Sequence, residues 1–262
     1  MAPTVSFSQP EDVKEILKKV NEIEKTKVPD AIADVISPLF GKSSILQINN
    51  PTWHEHRSLM DKSIVNTKGF LPLLEKKASQ CMHLWKTTEG PIHIGSYLQQ
   101  MTLDAMGICV FGKDFNTLQG ETSGPLSAYN FMIHNLFQPY FMFFPWLLQI
   151  PLPHFKKLRS EIKIFDDYCW SLIDEKKRFL QTSLENDHPD MVLSMLKNGL
   201  SDSVIRDNIG VFFFAGHETT ASTLSWEIVM LAKHPEVFKK LKDEMIKVTS
   251  NFSQPIDFEM LK

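Results

Sequence analysis

The sequence predicts a mainly α-helical fold with little β-structure, and three observations carry that prediction. Apolar residues recur at three- and four-residue spacing through most of the chain, the period of helices with one buried face. Capping and stop residues bracket these runs: Ser8 stands three before Glu11, Ser96 three before Gln99, and Pro235 closes the longest run. Only residues 44–48, with Ile45 and Ile48, read as a small strand.

Taken in order, Pro10 in the first turn opens a helix that aligns Val13, Ile16, Leu17, Val20 and Ile23 on one face. A looser stretch leads to the small strand. A helix begins near Thr52, with Trp53, Met60 and Ile64 at helical spacing, and a further segment carries Phe70, Leu74, Cys81 and Trp85 on one side. Ser96 starts the next, with Leu98, Met101, Ala105 and Cys109 inward. Residues 112–125 turn to Gly, Asn, Thr and Ser and form a loop. Leu158, Ile162, Phe165, Cys169 and Leu172 mark a long helix with charges opposite, ended by the polar run 183–190. Gly199 closes a short helix, and Ser201 caps the longest one, which runs over 202–234 until Pro235 stops it and opens another. No repeat or low-complexity tract divides the chain, so residues 1–262 read as a single domain.

Composition narrows the function. Lys and Arg number 28 against 31 Asp and Glu, a net charge of −3 without basic blocks, which argues against a nucleic-acid backbone as partner. The three cysteines are far apart and lack a CxxC pair, so neither a disulfide framework nor a zinc ribbon is indicated. The amino terminus lacks the basic flank and apolar core of a secretory signal. Residues 139–152 are the most apolar stretch, but Pro139, Pro145 and Pro151 interrupt it, and it is shorter than the roughly 20 residues of a membrane-spanning helix. It suits contact with a bilayer or a buried aromatic cluster.

The chemistry concentrates in FFFAGHETTAS, residues 212–222, in the middle of the longest predicted helix. Gly216 costs about 1 kcal/mol relative to alanine in a helix interior, and Thr219, Thr220 and Thr223 compete for backbone carbonyls. Ala215, Gly216, Thr219, Thr220 and Thr223 form a stripe of small side chains against which a flat body can lie, and Glu218 and Thr219 add an acid and a hydroxyl. A packing kink is the structural alternative. A zinc-protease reading fails because Ala221 stands where His-Glu-x-x-His needs its second histidine.

AGHETTAS resembles the distal-helix signature of the cytochrome P-450 haem-thiolate monooxygenases: Ala or Gly, Gly, any residue, an acid, Thr, then Thr or Ser. The resemblance implies that Ala215 and Gly216 border the dioxygen pocket over a haem, and that Glu218 and Thr219 relay protons to that pocket. Trp53 and Arg57 in PTWHEHRSL resemble the family's W-x-x-x-R helix, whose Trp and Arg hold a haem propionate; one helical turn separates them, and Arg suits a carboxylate. TLDAMGICVFGKDF resembles the family's helix and turn with a structural acid, here Asp104, which needs a partner if buried. With SQPEDVKEIL ahead and KHPEVFKKLKDEM behind, the ordered matches span essentially the whole chain.

The resemblance implies a partial cytochrome P-450 fold, the distal helical half. It further implies a haem cofactor, O2 and a small apolar substrate, electrons from an NADPH-linked reductase or another donor, and a peripheral membrane contact on the cytoplasmic side of the endoplasmic reticulum. The family's E-x-x-R helix and cysteine-ligand loop have no counterpart: Glu175 and Arg178 read as a surface ion pair, and Cys81, Cys109 and Cys169 lack the glycine framework of an exposed thiolate. No metal ligand is assigned. The expectation is a central portion of a monooxygenase, inactive as it stands, with a catalytically silent scaffold or apolar-ligand-binding domain as the alternative.

Overall fold

The computed structural model describes residues 5–19, 22–26, 29–64, 67–121, 124–182, 190–249 and 260. Twelve α-helices are found among them: α1 Pro10–Lys18, α2 Asp30–Phe40, α3 Thr52–Ile64, α4 Leu71–Thr87, α5 Ile94–Met106, α6 Gly124–Leu136, α7 Tyr140–Phe143, α8 Pro153–Thr182, α9 Met191–Lys197, α10 Asp202–Gly216, α11 Glu218–Lys233 and α12 Pro235–Val248. No strand occurs among the described residues. The mainly α prediction holds.

Five local expectations are corrected. Residues 44–48 turn instead of extending: the Gln47 and Ile48 amides donate to the Ser44 carbonyl (2.9 and 3.1 Å), and the Ile45 amide, like that of Ser43 before it, is taken by α10, donating to Asn208 (3.0 Å) and Asp207 (2.8 Å) respectively. The looser stretch contains α2, whose internal Pro38 obscures it; buried Val35, Leu39 and Phe40 offset the proline by packing on α10. The helix expected over 202–234 is two, meeting at His217. Ser8, Ser96 and Ser201 do not cap through their side chains: α1 begins after Gln9 and α5 after His93, and Ser201 precedes α10 with its hydroxyl against Ser203, none making a side-chain cap. Arg178 donates to the Asp174 carbonyl (3.3 Å), and no Glu175 ion pair forms among the described residues. Most of the polar run, residues 183–189, lies outside the described residues, as does Val20. Its last member, Asp190, caps α9 by accepting from Leu193 N (2.9 Å).

The core sits where α6 lies along α8, with α10 packed on α8 and reaching α6 through Phe213, and α5 packed on α4 and α11. At its centre the Phe213 ring stacks on Phe111 (centroids 4.6 Å) and touches Tyr129, Phe165 and Phe115 (5.2, 5.4 and 5.8 Å), so one side chain joins α10 to α6, α8 and the turn after α5. That turn starts as a π-helical segment, Gly107–Phe111, made possible by Gly107: a Cβ there would stand 2.5 Å from the Lys113 carbonyl oxygen. Gly210 serves α2 in the same way, since a Cβ would come 1.7 Å from the Leu39 carbonyl oxygen.

Beneath the turn lies a buried charge cluster. Lys77, 2% exposed, contacts Asp104 (3.2 Å), which is fully buried, and Asp114 (2.6 Å). Asp104 also accepts from the Thr117 amide and hydroxyl (both 2.8 Å) and the Leu118 amide (3.3 Å). The partner that a buried Asp104 needs is therefore present, and α4, α5 and the turn are tied by one carboxylate. Removing one member of such a set leaves uncompensated buried charge. Asp104→Ala is expected to destabilise the chain by about 3–5 kcal/mol, measured by urea unfolding; a loss under about 1 kcal/mol would show that the cluster is dispensable.

Candidate active site at a helix break

Residues 212–222 straddle the junction of α10 and α11. At His217 (φ −110°, ψ −46°) the helix bends out of register, and side chains supply hydrogen bonds at the break. His217 Nδ1 lies 2.6 Å from the Phe213 carbonyl oxygen, Thr219 Oγ1 donates to Ala215 O (2.7 Å), and Thr220 Oγ1 to Gly216 O (3.3 Å). The competition for carbonyls expected of these threonines is thus realised. Thr223 Oγ1 extends the row by donating to Thr219 O (2.9 Å).

Two further contacts pin the break to α5. Thr102 Oγ1 lies 3.0 Å from the His217 carbonyl oxygen, sharing its proton with Leu98 O (2.9 Å) and Gln99 O (3.2 Å) of its own helix, and a Cβ on Gly216 would stand 2.6 Å from Met106 Cγ. The glycine is therefore needed for the close approach of α5. Ala221, 1% exposed, seats the first turn of α11 against the same helix.

The break separates two unlike spaces. On one side an open groove of about 660 Å³ runs along α11, walled mainly by apolar surface from Phe214, Trp226 and Met230 and floored by Thr219 and Thr223. On the other, a more enclosed polar cavity of about 360 Å³ is bounded by Gln99, Gln100, Tyr129, Asn130 and His217. Glu218 borders both. Burial lowers the His217 pKa below its ordinary value, outweighing the opposing influence of the Phe213 carbonyl and the Glu218 charge, so the ring is neutral near pH 7. Burial raises the Tyr129 phenol, and the Glu218 charge adds to it. The buried Tyr129 hydroxyl has no hydrogen-bond partner among the described residues.

Of the residues singled out from sequence, Glu218 and Thr219 line the groove, whereas Ala215 is exposed at the end of α10 without lining it and Gly216 faces Met106 of α5. Trp53 and Arg57 do not join them. They stand on α3, which packs on α9; Lys25 Nζ lies over the Trp53 ring (5.5 Å), and half-exposed Arg57 pairs with Asp61 (2.7 Å). In the sequence His217 stands out only as a metal-ligand candidate, and Thr102 and Phe213 do not stand out at all. The available signal was its neighbours: a glycine and two threonines around a histidine in a helix that none of them favours.

A flat apolar group fits the groove, because the small, hydroxyl-bearing floor lets it approach the α11 backbone while Phe214 and Trp226 flank it. The thiols are elsewhere. Burial pushes Cys81 and Cys109 up to about 11 and Cys169 to about 12, which disfavours the thiolate form at all three. No groups of three or more His, Cys, Asp or Glu are placed to hold a metal ion among the described residues.

The family model for cytochrome P450 matches residues 1–262. A cytochrome P450 monooxygenase FUM15 of Gibberella moniliformis is 30% identical over 187 residues, 67% of this chain and 31% of that protein. Human cytochrome P450 4F8 is 26% identical across 94% of this chain and 51% of its own length, and an 11-oxo-beta-amyrin 30-oxidase of Glycyrrhiza uralensis is 22% identical across 95% and 50%. The chain thus spans about half the length, or less, of these curated relatives. In fold it is similar to the crystal structure of the cytochrome P450DA heme domain, with a TM-score of 0.74 at 20% identity over 97% of this chain and 55% of that one. A match over every residue, joined to a helical fold of the same kind, means that the chain belongs to the cytochrome P450 family.

Proposed function

We propose that the protein to which this chain belongs is a haem-dependent monooxygenase that inserts one atom of O2 into a small apolar substrate, drawing electrons from an NADPH-linked reductase or another donor. The carrying observation is the pairing of Glu218 and Thr219 at the break, where one residue borders both the apolar groove and the polar cavity and the next presents a hydroxyl to the groove. Haem, when bound, supplies the oxygen-activating iron chemistry. The chain's own part is to hold the group against Ala215 and Gly216, to keep a hydroxyl in place at Thr219, and to bring a proton to it. Donation to Ala215 O fixes the Thr219 hydroxyl and leaves its oxygen free to accept from water or substrate. Glu218 can exchange protons with the polar cavity and return them on the groove side. Apolar walls suit an apolar substrate.

Arg57 and Trp53 are assigned to a haem propionate, Arg57 exchanging its exposed Asp61 partner for that carboxylate.

Peripheral membrane association is assigned to the aromatic segment at α7. Phe143 (74% exposed), Met142 (65%) and Trp146 (58%) project together, with Phe137, Phe144 and Leu152 half-exposed nearby. A patch of this kind marks a membrane or protein contact. No helix among the described residues is long and apolar enough to cross a membrane. The cytoplasmic face of the endoplasmic reticulum is the proposed location.

Three outcomes are expected. In the haem-loaded protein, Thr219→Ala retains haem and substrate but diverts electrons to hydrogen peroxide, and Glu218→Gln slows coupled turnover, each by about a hundredfold; measured effects under about twofold on coupled turnover would favour the silent scaffold. Arg57→Ala acts on retention instead, losing a charge-assisted contact of about 1.5–3 kcal/mol in haem affinity with little change in coupling, as read by haem transfer to apomyoglobin. Replacing Met142, Phe143 and Trp146 with Ser lowers binding to phosphatidylcholine vesicles by at least about tenfold. Phe141 is left intact because it is buried against Tyr140 and Phe155.

A further inference from the structure

We infer that His217 is a positioning residue: its imidazole splints the break between α10 and α11 and thereby fixes where Glu218 and Thr219 stand. The ring is 7% exposed, and its Nδ1 lies 2.6 Å from the Phe213 carbonyl oxygen. A carbonyl can only accept, so Nδ1 carries the proton and donates. In an unbroken helix that carbonyl takes the amide of residue 217; at the break the side chain of the same residue reaches back to it.

Three other elements hold the same residue. The His217 carbonyl accepts from the Ala221 amide (2.9 Å), the first backbone bond of α11, and lies 3.0 Å from Thr102 Oγ1 of α5, whose single proton it shares with Leu98 O (2.9 Å) and Gln99 O (3.2 Å). The ring meets Tyr129 of α6 edge-on (5.7 Å, 63°), and Tyr129 in turn packs on Phe213 (5.2 Å). His217 is therefore bonded backward to the end of α10, forward to the start of α11 and sideways to α5. Its neighbours cannot take this part, because Ala215 is exposed and Gly216 has no side chain. The splint stands on these contacts alone; its catalytic consequence rests on the reading of Glu218 and Thr219 given above.

The test compares the parent chain with His217→Phe, which keeps ring bulk but loses the donor, and His217→Asn, whose amide nitrogen takes the place of Nδ1. Deuterium exchange at the Ala221 amide is read by mass spectrometry with fragment resolution, beside thermal unfolding. Loss of the bond should speed exchange roughly tenfold in His217→Phe, and His217→Asn should return it to within about threefold of the parent. Thr102→Val releases the His217 carbonyl from the opposite side and should speed the same amide. An unchanged rate in His217→Phe, or His217→Asn exchanging as fast as His217→Phe, would overturn the proposal. If His217→Phe does not fold, His217→Leu takes its place, and an unchanged rate there overturns the proposal. In the haem-loaded protein, peroxide released per NADPH should rise in His217→Phe and fall back in His217→Asn. Should Thr219→Ala leave peroxide release unaltered, the reading of Thr219 fails, and the exchange rates decide the splint on their own.

Discussion

Phe213 is the point on which the rest of the structure depends. Its ring is enclosed by Phe111, Phe115, Tyr129 and Phe165, contributed by the turn after α5, by α6 and by α8, while its own backbone belongs to α10. Aromatic contacts of this kind add to the area they bury, and a ring fixed on so many sides fixes the backbone behind it. The break at His217 begins four residues on, one helical turn from that anchor. It is thus a placed feature of the core, and the Phe213 carbonyl that receives His217 cannot drift.

The break is useful because its two sides differ. An unbroken helix would present one repeating surface, with its carbonyls all paired to amides. Here the Ala215 and Gly216 carbonyls are met by the Thr219 and Thr220 hydroxyls, and the short side chains of Thr219 and Thr223 leave the floor of the groove low. Glu218 consequently stands where an apolar, open space and a polar, more enclosed one approach each other. A carboxylate so placed exchanges protons with water on one side while its neighbour addresses a ligand on the other, a division of labour that a straight amphipathic helix does not offer.

Elsewhere the molecule spends buried charge on geometry. Lys77, Asp104 and Asp114 hold α4, α5 and the following turn, and Arg206 bonds Asp166 (2.6 Å) and the Pro38 carbonyl (2.8 Å) to bring α8 and α2 onto α10. Such clusters add little net stability but tolerate few alternative arrangements. Together they position α5, which meets the break through Thr102 and Met106, and α10, which leads into it and is held by Arg206 and Gly210.

The sequence by itself determined the helical class, the position of most helices, and the identity of the segment that carries the chemistry. Periodicity of apolar side chains is a local property, and the unfavourable run of Gly216, Thr219 and Thr220 is visible without any coordinates. The ordering of WHEHR, TLDAMG and AGHETT also sufficed to indicate the family. What the tertiary structure decided is everything that depends on contacts distant in sequence. Helix α2 exists because Leu39 and Phe40 meet α10, although Pro38 disfavours it locally, and residues 44–48 lose their strand character because Asn208 captures the Ile45 amide and the Gln47 and Ile48 amides turn back onto the Ser44 carbonyl. The same holds for the site. Only folding brings Thr102 to His217, 115 residues away, and Met106 to Gly216, and so turns a locally poor helix into a defined break. Local propensity can announce that a helix is weak; where it yields, and in which direction, is set by what packs against it.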